Sequence, residues 1–431
     1  MFTLTDTEKQ KGRLRCADEL FLHCFIAYAV SYVGRNNYST CMESMIGDGL
    51  FGEVFAGLIS TAYFALYGIG QLLCGFLARR FSPRYMIGLG LFGVGVFNIL
   101  MGVNKIPILF VVIWGLNGIC NSMLWTPVIR IFAEWLPRER KDRAGLYISM
   151  SIPCGTIMSY LIPSIIFKIS NNAWEAVFLF SGIMLIFFSL IWFLGLYKLA
   201  PFVREMSSEF ESEMIDETRG DRYSFISVFF KTCLPIVAVV AISMGALKEA
   251  ITTWIPKLLT DFYGKSSSTA ALISVLLPIV CAAGAFVAKA LDRKYFKNEI
   301  KTCAALFTFG FFVSLIATIL VFIGGKSAAT VGAVAVTVLL SMLISSTWGV
   351  NTMILTFVPY RYAKTRLSPT VTGTLNCISF FSASLFSFVY GSVKESFGWE
   401  ATFILWLALA LFASVFSLAF AKTWKKGVER A

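Results

Sequence analysis

The sequence predicts an all-α membrane protein with twelve transmembrane helices. Of the 431 residues, 57% are hydrophobic and 14% are charged, and the mean hydropathy is +0.74. Soluble globular domains carry about 25% charged residues. Apolar segments of roughly 20 residues, the length that crosses a bilayer, recur along the whole chain. Composition and segment length together therefore place the chain in a membrane, which it crosses many times.

Six helices are predicted in each half of the chain. In the first half they lie near residues 17–46, 54–79, 85–103, 107–136, 143–168 and 173–198. In the second half they lie near residues 228–256, 267–291, 300–323, 330–358, 367–393 and 399–421.

A polar interval separates the two sets of helices. Residues 201–223 are acidic and contain too few apolar side chains to insert into a membrane. We therefore predict a six-helix bundle over residues 1–200, a cytoplasmic linker over 201–225 and a second six-helix bundle over 226–431. Similar basic loops at residues 75–84 and 288–298 lie at corresponding places in the two halves, as expected of an internal repeat.

The orientation follows from the positions of Lys and Arg, which are concentrated in the loops of one side. The opposite side carries Lys105, Lys168, Lys257, Lys265, Lys326 and Lys394. We therefore expect both termini in the cytoplasm. The formal charge of +12 is spread over loops on one membrane face, so it indicates topology signals and not a nucleic-acid surface.

Two cations lie deep in predicted helices. Arg35 follows residues 20–34, which are uncharged apart from His23, and Lys248 follows the uncharged run 232–247. A cation at the centre of a transmembrane helix costs about 2.5–3.5 kcal/mol, so it is retained where protein or ligand compensates it. We expect Arg35 and Lys248 to contact an anionic ligand and not to be paired permanently with a buried acid.

Glu249 is the acidic residue predicted to lie deep in these spans. Three roles stay open for it: it neutralises Lys248 when the site is empty, it relays a proton and so couples transport, or it lies towards the outer mouth.

Several polar residues share helix faces with these cations. Tyr28, Tyr32, Arg35 and Ser39 follow the spacing i, i+4, i+7 and i+11, which places them on one side of a helix. Such a stripe must face a cavity, because lipid would leave its polar groups unsatisfied. Thr252 lies one turn after Lys248. Asn117 and Asn121 form a similar pair in the fourth helix, where hydrogen bonding between helices is the alternative role.

No pattern in the sequence indicates an enzyme. The ten Cys residues are scattered without a C-x-x-C motif, and there is one His. We therefore predict no metal site and no disulfide framework. The sequence also lacks a phosphate-cradling Gly-rich motif and a nucleophile–base pair, and we expect no cofactor.

Four segments carry a resemblance to a known family. They are R-N-N-Y-S at 35–39, preceded by Tyr28 and Tyr32; Tyr67 with the loop GFLARRFSPR at 75–84; G-L-N-G-x-x-N-S-M-L-W-T-P at 115–127; and K-E-A-I-T-T-W-I-P at 248–256. In this order they resemble the organophosphate:phosphate antiporters of the major facilitator superfamily, which include glycerol-3-phosphate and hexose-6-phosphate transporters. The resemblance spans most of the chain.

The resemblance implies two six-helix bundles that rock about a central cavity and exchange a phosphorylated metabolite for inorganic phosphate. It also implies that basic residues at positions 35 and 248 clasp the phosphate. Three positions depart from the family. Lys248 stands where the family usually has Arg, Gln71 stands where it has a cation, and Cys154 stands where it has His. The charge of a dianionic phosphate is therefore less fully compensated than in the family, which makes a monoanion or a carboxylate more credible as the cargo.

We thus predict a secondary transporter of a small organic anion, most simply a sugar phosphate or glycerol phosphate, with inorganic phosphate as counter-substrate. The predicted substrate-binding residues are Arg35, Lys248, Tyr28, Tyr32, Tyr67, Gln71, Asn121 and Thr252. A proton-coupled symporter and a transporter-like sensor of a phosphorylated sugar stay open as alternatives. We expect a monomer in the lipid bilayer of the cell membrane.

Overall fold

The computed structural model describes residues 6–77, 81–214, 229, 233–324, 330–361 and 368–429. Within these ranges the chain is helical and contains no strand. Eleven helical stretches there are long and apolar enough to cross a membrane, and the last, Thr370–Lys426, has the length of two crossings. It is divided at Gly398, whose φ of 81° no continuous helix adopts. The predicted all-helical fold with twelve transmembrane helices is therefore confirmed.

The part of the chain with the first six crossings contains eight helices. They are α1 (Asp6–Ser31), α2 (Val33–Gly47), α3 (Glu53–Leu77), α4 (Pro83–Val103), α5 (Pro107–Trp135), α6 (Arg138–Tyr147), α7 (Ser151–Ile169) and α8 (Trp174–Lys198). The pair α1–α2 forms the first crossing and α7 the fifth, and α6 is the one of these helices that does not belong to a crossing.

After α8 come α9 (Ala200–Met214), α10 (Leu234–Gly245), α11 (Ile251–Asp261), α12 (Ser267–Ser274), α13 (Leu276–Leu291), α14 (Glu299–Gly324), α15 (Thr330–Thr352), α16 (Val358–Tyr360) and α17 (Ser368–Glu429). Single π-helical turns lie at Ala246–Ala250, Asp292–Phe296 and Met353–Phe357. The pairs α10–α11 and α12–α13 form the seventh and eighth crossings.

The first crossing differs from the uninterrupted helix predicted over 17–46. It begins at Asp6 and contains a turn at Tyr32, which separates α1 from α2. Tyr32 keeps right-handed helical torsion angles (φ −65°, ψ −28°), so the direction of the helix is preserved through the turn. The stripe of Tyr28, Tyr32 and Arg35 is therefore only locally disturbed.

The predicted linker begins with a helix. Ala200–Met214 is α9, and its apolar residues Phe202 and Met206 are buried against the first half of the chain. Arg13 donates to Met206 Sδ through Nη2 at 3.1 Å. These apolar residues are four apart, so they form one buried stripe on an otherwise polar helix. The rest of the linker, residues 215–225, lies outside the described residues, and the region boundaries stay a prediction.

Three groups of contacts join the two halves of the chain. Helix α3 packs along the first part of α17, α2 packs on α11, and α7 packs on α12 and α13. The α3–α17 contact includes a reciprocal pair of hydrogen bonds, in which Thr61 Oγ1 donates to the Ser384 carbonyl at 2.8 Å and Ser384 Oγ donates to the Thr61 carbonyl at 2.9 Å. Ser164 and Ser268 form an equivalent pair between α7 and α12.

Candidate functional site

Arg35 lies in α2, three residues after the turn at Tyr32. Its side chain is 9% exposed and is surrounded by aromatic rings. The guanidinium carbon lies 5.5 Å from the centre of the Tyr32 ring, 5.0 Å from Tyr67 and 5.6 Å from Phe380. Aromatic faces attract cations, so these rings lower the cost of holding this charge away from water.

Lys248 and Glu249 lie in the π-helical turn Ala246–Ala250 between α10 and α11. Such turns are frequent at functional sites, because the extra residue widens the helix locally and redirects its side chains. Lys248 is 8% exposed and Glu249 is 17% exposed. Lys248 Nζ donates to Asn351 Oδ1 at 3.1 Å and lies 4.4 Å from the centre of the Trp348 ring.

Glu249 is shared between the two cations. Arg35 Nη2 donates to Glu249 Oε2 at 3.0 Å, and Lys248 Nζ lies 3.0 Å from Glu249 Oε1. Arg35 belongs to the first half of the chain, whereas Lys248 and Glu249 belong to the second. One carboxylate therefore bridges cations from both halves, and the three groups together carry a charge of +1.

This pairing corrects the expectation that Arg35 is not held by a buried acid. Sequence reasoning placed Glu249 beside Lys248 in the chain, but it gave no means of judging its distance from Arg35. Glu249 lies within hydrogen-bonding distance of both cations, so it compensates part of their charge inside the protein.

A cavity of about 30 Å³ adjoins the bridge. Arg35 and Glu249 form part of its wall, and the remaining wall is rich in hydroxyl, amide and aromatic groups. The other lining residues are Asn36, Tyr38, Ser39, Ser60, Tyr63, Phe64, Trp114, Tyr160, Thr252 and Thr253. The ion-paired cluster is therefore open to a space between the halves and not sealed in a core.

The predicted aromatic residues lie around Arg35. Tyr67 and Tyr32 contact its guanidinium, whereas Tyr28 lies one step further away and packs on Tyr32 (5.6 Å between ring centres) and on Trp125 (4.9 Å). Gln71 is buried next to Tyr67.

The other predicted residues differ in their distance from the cavity. Thr252 lines it, and its Oγ1 donates to the Lys248 carbonyl at 2.6 Å. Asn121 is buried in α5, but it is not among the lining residues, and its amide nitrogen makes no hydrogen bond within the described parts of the chain.

Sequence reasoning missed part of the cavity wall. Tyr63, Ser60 and Tyr160 line the cavity, and Phe380 covers Arg35. Tyr63 could have been predicted from the sequence, because it lies one helical turn before Tyr67. In the structure the two rings stack with centres 6.0 Å apart. Ser60, Tyr160 and Phe380 carry no charge or motif that distinguishes them from ordinary core residues.

A second ionic cluster lies at one end of the molecule and also joins the halves. We call it the end cluster; it consists of Glu43, Glu53, Lys257, Asp261 and Lys394. Lys257, 1% exposed, contacts Glu43 and lies 2.9 Å from Glu53. Lys394 lies 2.6 Å from both Glu53 and Asp261.

At the opposite end, the ion pairs Arg140–Asp18 and Arg361–Glu299 each stay within one half of the chain. Among the residues that the structure describes, ion pairs between the halves occur at the site and at the end cluster. Within the described ranges, no group of His, Cys, Asp and Glu side chains is arranged to hold a metal ion.

Comparison with known proteins agrees with this architecture. The family model of the Major Facilitator Superfamily matches residues 24–388, and the chain belongs to this family of membrane transporters.

The relatives named as transporters are distant but similar over nearly their whole length. The chain is 23% identical over 424 residues to a probable hexose phosphate transport protein of Chlamydia trachomatis, covering 94% of this chain and 90% of that protein. It is 22% identical over 448 residues to the glycerol-3-phosphate transporter of Bacillus subtilis, covering 98% and 96%. It is also 24% identical to the membrane sensor protein UhpC of Escherichia coli, but over only 39% of this chain and 38% of the sensor.

Among solved structures, the chain is similar to a bacterial homolog of the human lysosomal transporter Spinster in an inward-facing, unoccupied conformation. The TM-score is 0.75 at 14% sequence identity, with 96% of this chain and 98% of that chain covered. At this identity the similarity establishes the fold. The resemblance inferred from the sequence motifs is therefore confirmed at the level of the superfamily and of relatives named as organophosphate transporters.

Proposed function

We propose that this protein is a secondary transporter that exchanges a small phosphorylated metabolite, such as a sugar phosphate or glycerol phosphate, for inorganic phosphate by alternating access. The observation that carries the proposal is the bridge in which Arg35 and Lys248, one from each half, share Glu249 beside a cavity. Relatives named as hexose phosphate and glycerol-3-phosphate transporters support the same cargo.

Glu249 then acts as an internal counter-anion. Without cargo it neutralises part of the positive charge and connects the halves through Arg35. An incoming phosphate competes for Arg35 and Lys248, offering each an oxygen in place of the carboxylate. Phosphate accepts bidentate bonds from Arg, whereas Lys binds it as a point charge. The cargo thereby replaces an intramolecular bridge with an intermolecular one.

The free-energy cost of breaking the Arg35–Glu249 ion pair explains why transport would be an exchange. Movement of the halves that parted Arg35 from Glu249 without cargo would leave the buried Arg35 unpaired, because Glu249 stays with Lys248 in the second half; an unpaired buried charge is strongly unfavourable. A bound phosphate keeps both cations paired during the movement. An unloaded carrier therefore reorients slowly and a loaded one reorients fast, which makes transport an obligatory exchange.

The two ends of the molecule are assigned to opposite faces of the membrane. The basic loops favour cytoplasmic termini, which assigns the end cluster to the outer face. Ion pairs join the halves there, so this conformation is closed to the outside. We propose that the cavity communicates with the cytoplasm in this state, and that the protein works as a monomer in the cell membrane.

Counterflow in proteoliposomes tests the exchange. Vesicles loaded with inorganic phosphate are expected to take up labelled phosphate or a phosphate ester without an imposed pH gradient. Empty vesicles are expected to take up little. Uptake that requires the gradient and ignores internal phosphate would contradict the proposal and favour proton-coupled symport through Glu249.

The sensor alternative is tested with the same preparation. A sensor would bind a phosphate ester in a thermal-shift assay and move none of it across the vesicle membrane. The match to the sensor UhpC covers less than half of either chain, whereas the matches to the transporters cover at least 90%. This difference in coverage favours transport.

A further inference from the structure

The cavity beside Arg35 contains hydroxyl groups that the protein leaves without hydrogen bonds. Ser60 and Tyr63 lie one turn apart in α3 and are 1% and 2% exposed. Ser60 Oγ and the Tyr63 hydroxyl are both buried and make no hydrogen bond among the described residues. Buried polar groups in native proteins are nearly always bonded, so each exception calls for an explanation.

The other polar groups of the wall are already engaged. The Tyr38 hydroxyl donates to the Ala56 carbonyl at 3.0 Å, and Ser39 Oγ donates to the Asn36 carbonyl at 2.7 Å. The hydroxyls of Thr252 and Thr253 donate to carbonyls of their own helix. The hydroxyls left free to bind a ligand on the α3 side of the cavity are therefore those of Ser60 and Tyr63, and Tyr160 of α7 adds a third buried hydroxyl that makes no hydrogen bond among the described residues.

These hydroxyls lie beside Arg35, which together with Lys248 forms the proposed binding site for the phosphate group, called here the phosphate grip. Tyr63 and Arg35 line the same cavity, and the Tyr63 ring packs on Trp114 with centres 5.4 Å apart. A space of about 30 Å³ holds roughly two water-sized groups, since one such group needs about 10–15 Å³. A lining that combines hydroxyl groups with aromatic rings suits a short chain with both OH and CH groups.

We infer that Ser60, Tyr63 and Tyr160 form a hydroxyl-binding subsite, which selects among phosphate esters by the hydroxyl groups on the carbons beyond the one that bears the phosphate. The inference rests on the proposed function, because it assigns the phosphate to Arg35 and Lys248. It adds a specificity determinant: hydroxyl groups of α3 and α7 that line the cavity recognise the part of the cargo that is not phosphate. Esters without hydroxyl groups leave these buried groups unsatisfied and bind less well.

The test compares two competitors of labelled phosphate uptake into phosphate-loaded proteoliposomes. Glycerol 3-phosphate carries hydroxyls and n-propyl phosphate does not, although both have three carbons and the same phosphate group. The parent protein is expected to favour glycerol 3-phosphate by about tenfold or more. In the double variant Ser60→Ala with Tyr63→Phe, the ratio of the two affinities is expected to fall close to one.

Ser314→Ala is the matched control. Ser314 is a buried hydroxyl in α14 that likewise makes no hydrogen bond among the described residues, but it does not line the cavity. This variant is expected to keep the parent ratio. Equal inhibition of the parent by both esters, or an unchanged ratio in the double variant, overturns the subsite while leaving the phosphate grip intact. Absence of phosphate uptake by the parent overturns the proposed exchange, and the subsite with it.

Discussion

Glu249 controls the charge of the site, because it is the anionic group bonded to both buried cations. With Glu249 ionised the three residues sum to +1, and with a neutral side chain at this position they sum to +2. In the proposed exchange, an external anion competes with this carboxylate for Arg35 and Lys248. Glu249 is therefore expected to lower the affinity for cargo and to raise the stability of the empty protein.

Glu249→Gln separates these two effects. The apparent affinity for phosphate is expected to rise by about tenfold or more, because a competing charge-assisted bond is removed. The melting temperature without phosphate is expected to fall, because two buried cations lose their partner, and added phosphate should restore more stability than it gives the parent. Thermal-shift titration measures both quantities. Weaker phosphate binding by the variant would show that Glu249 assists binding and does not compete.

The two cations are not equivalent. Arg35 is held between three aromatic rings, where a planar guanidinium fits and a compact ammonium does not, whereas Lys248 contacts one ring and one amide. Arg35→Lys is expected to weaken phosphate binding by about 10–100-fold. Lys248→Arg is expected to retain binding, because a guanidinium at this position supplies at least as many donors. If both variants kept the parent affinity and ligand ranking, these side chains would not form the phosphate grip.

At the level of helices, the sequence predicted the crossings well and their interruptions poorly. Hydropathy depends on composition, so a crossing such as Pro107–Trp135 was predicted within one residue. The turn at Tyr32 and the π-helical turn at Ala246–Ala250 depend on tertiary packing, which leaves no periodic trace. The helix α9 was missed because its apolar stripe, with Phe202 and Met206, is too narrow to change the polar composition of the linker.

Local sequence also could not predict those features of the site that depend on tertiary packing. Buried charge identified Arg35, Lys248 and Glu249, since a charge in an apolar run is visible without coordinates. Ser60 and Tyr160 are ordinary residues of membrane helices, and only their positions beside the cavity distinguish them. The bridge between Arg35 and Glu249 joins residues 214 positions apart, so local sequence reasoning could not provide it.

The π-helical turn that carries Lys248 is supported by a close helix contact. Gly245, the residue before the turn, faces α17 so closely that a Cβ atom there would lie 2.0 Å from the Ser379 carbonyl oxygen. Gly245→Val is therefore expected to push α10 away from α17, to lower the melting temperature at a cost of about 1–3 kcal/mol, and to weaken phosphate binding through Lys248.

Gly373→Ala is the control for this contact, because Gly373 lies in α17 and a Cβ there meets nothing within 4 Å. Its melting temperature is expected to stay near that of the parent. A Gly245→Val protein with unchanged melting temperature and unchanged affinity would show that the close approach does not position Lys248.

For the whole molecule, the distribution of contacts between the halves defines the conformational state. The halves meet through α3 and α17, α2 and α11, and α7 and α12–α13, and the end cluster lies where α2, α3, α11 and α17 come together. Lys257 is nearly fully buried between carboxylates of the first half although it belongs to the second. Opening this end requires these pairs to separate and hydrate, so the cluster stabilises the state in which it is closed.

Lys257→Met removes the buried cation while preserving an unbranched side chain. It leaves Glu43 and Glu53 without this partner, which favours the state in which water reaches them. Spin labels at position 50, in the loop between α2 and α3, and at position 397, beside the break of α17 at Gly398, are expected to report longer distances in a cysteine-free background. Lys105→Met is the control, because Lys105 pairs with Glu175 at the same end but within one half, and its distances should match the parent. If Lys257→Met left the distances unchanged, the end cluster would not hold the halves together, and the closed state would depend on the helix contacts and on the Arg35–Glu249 bridge.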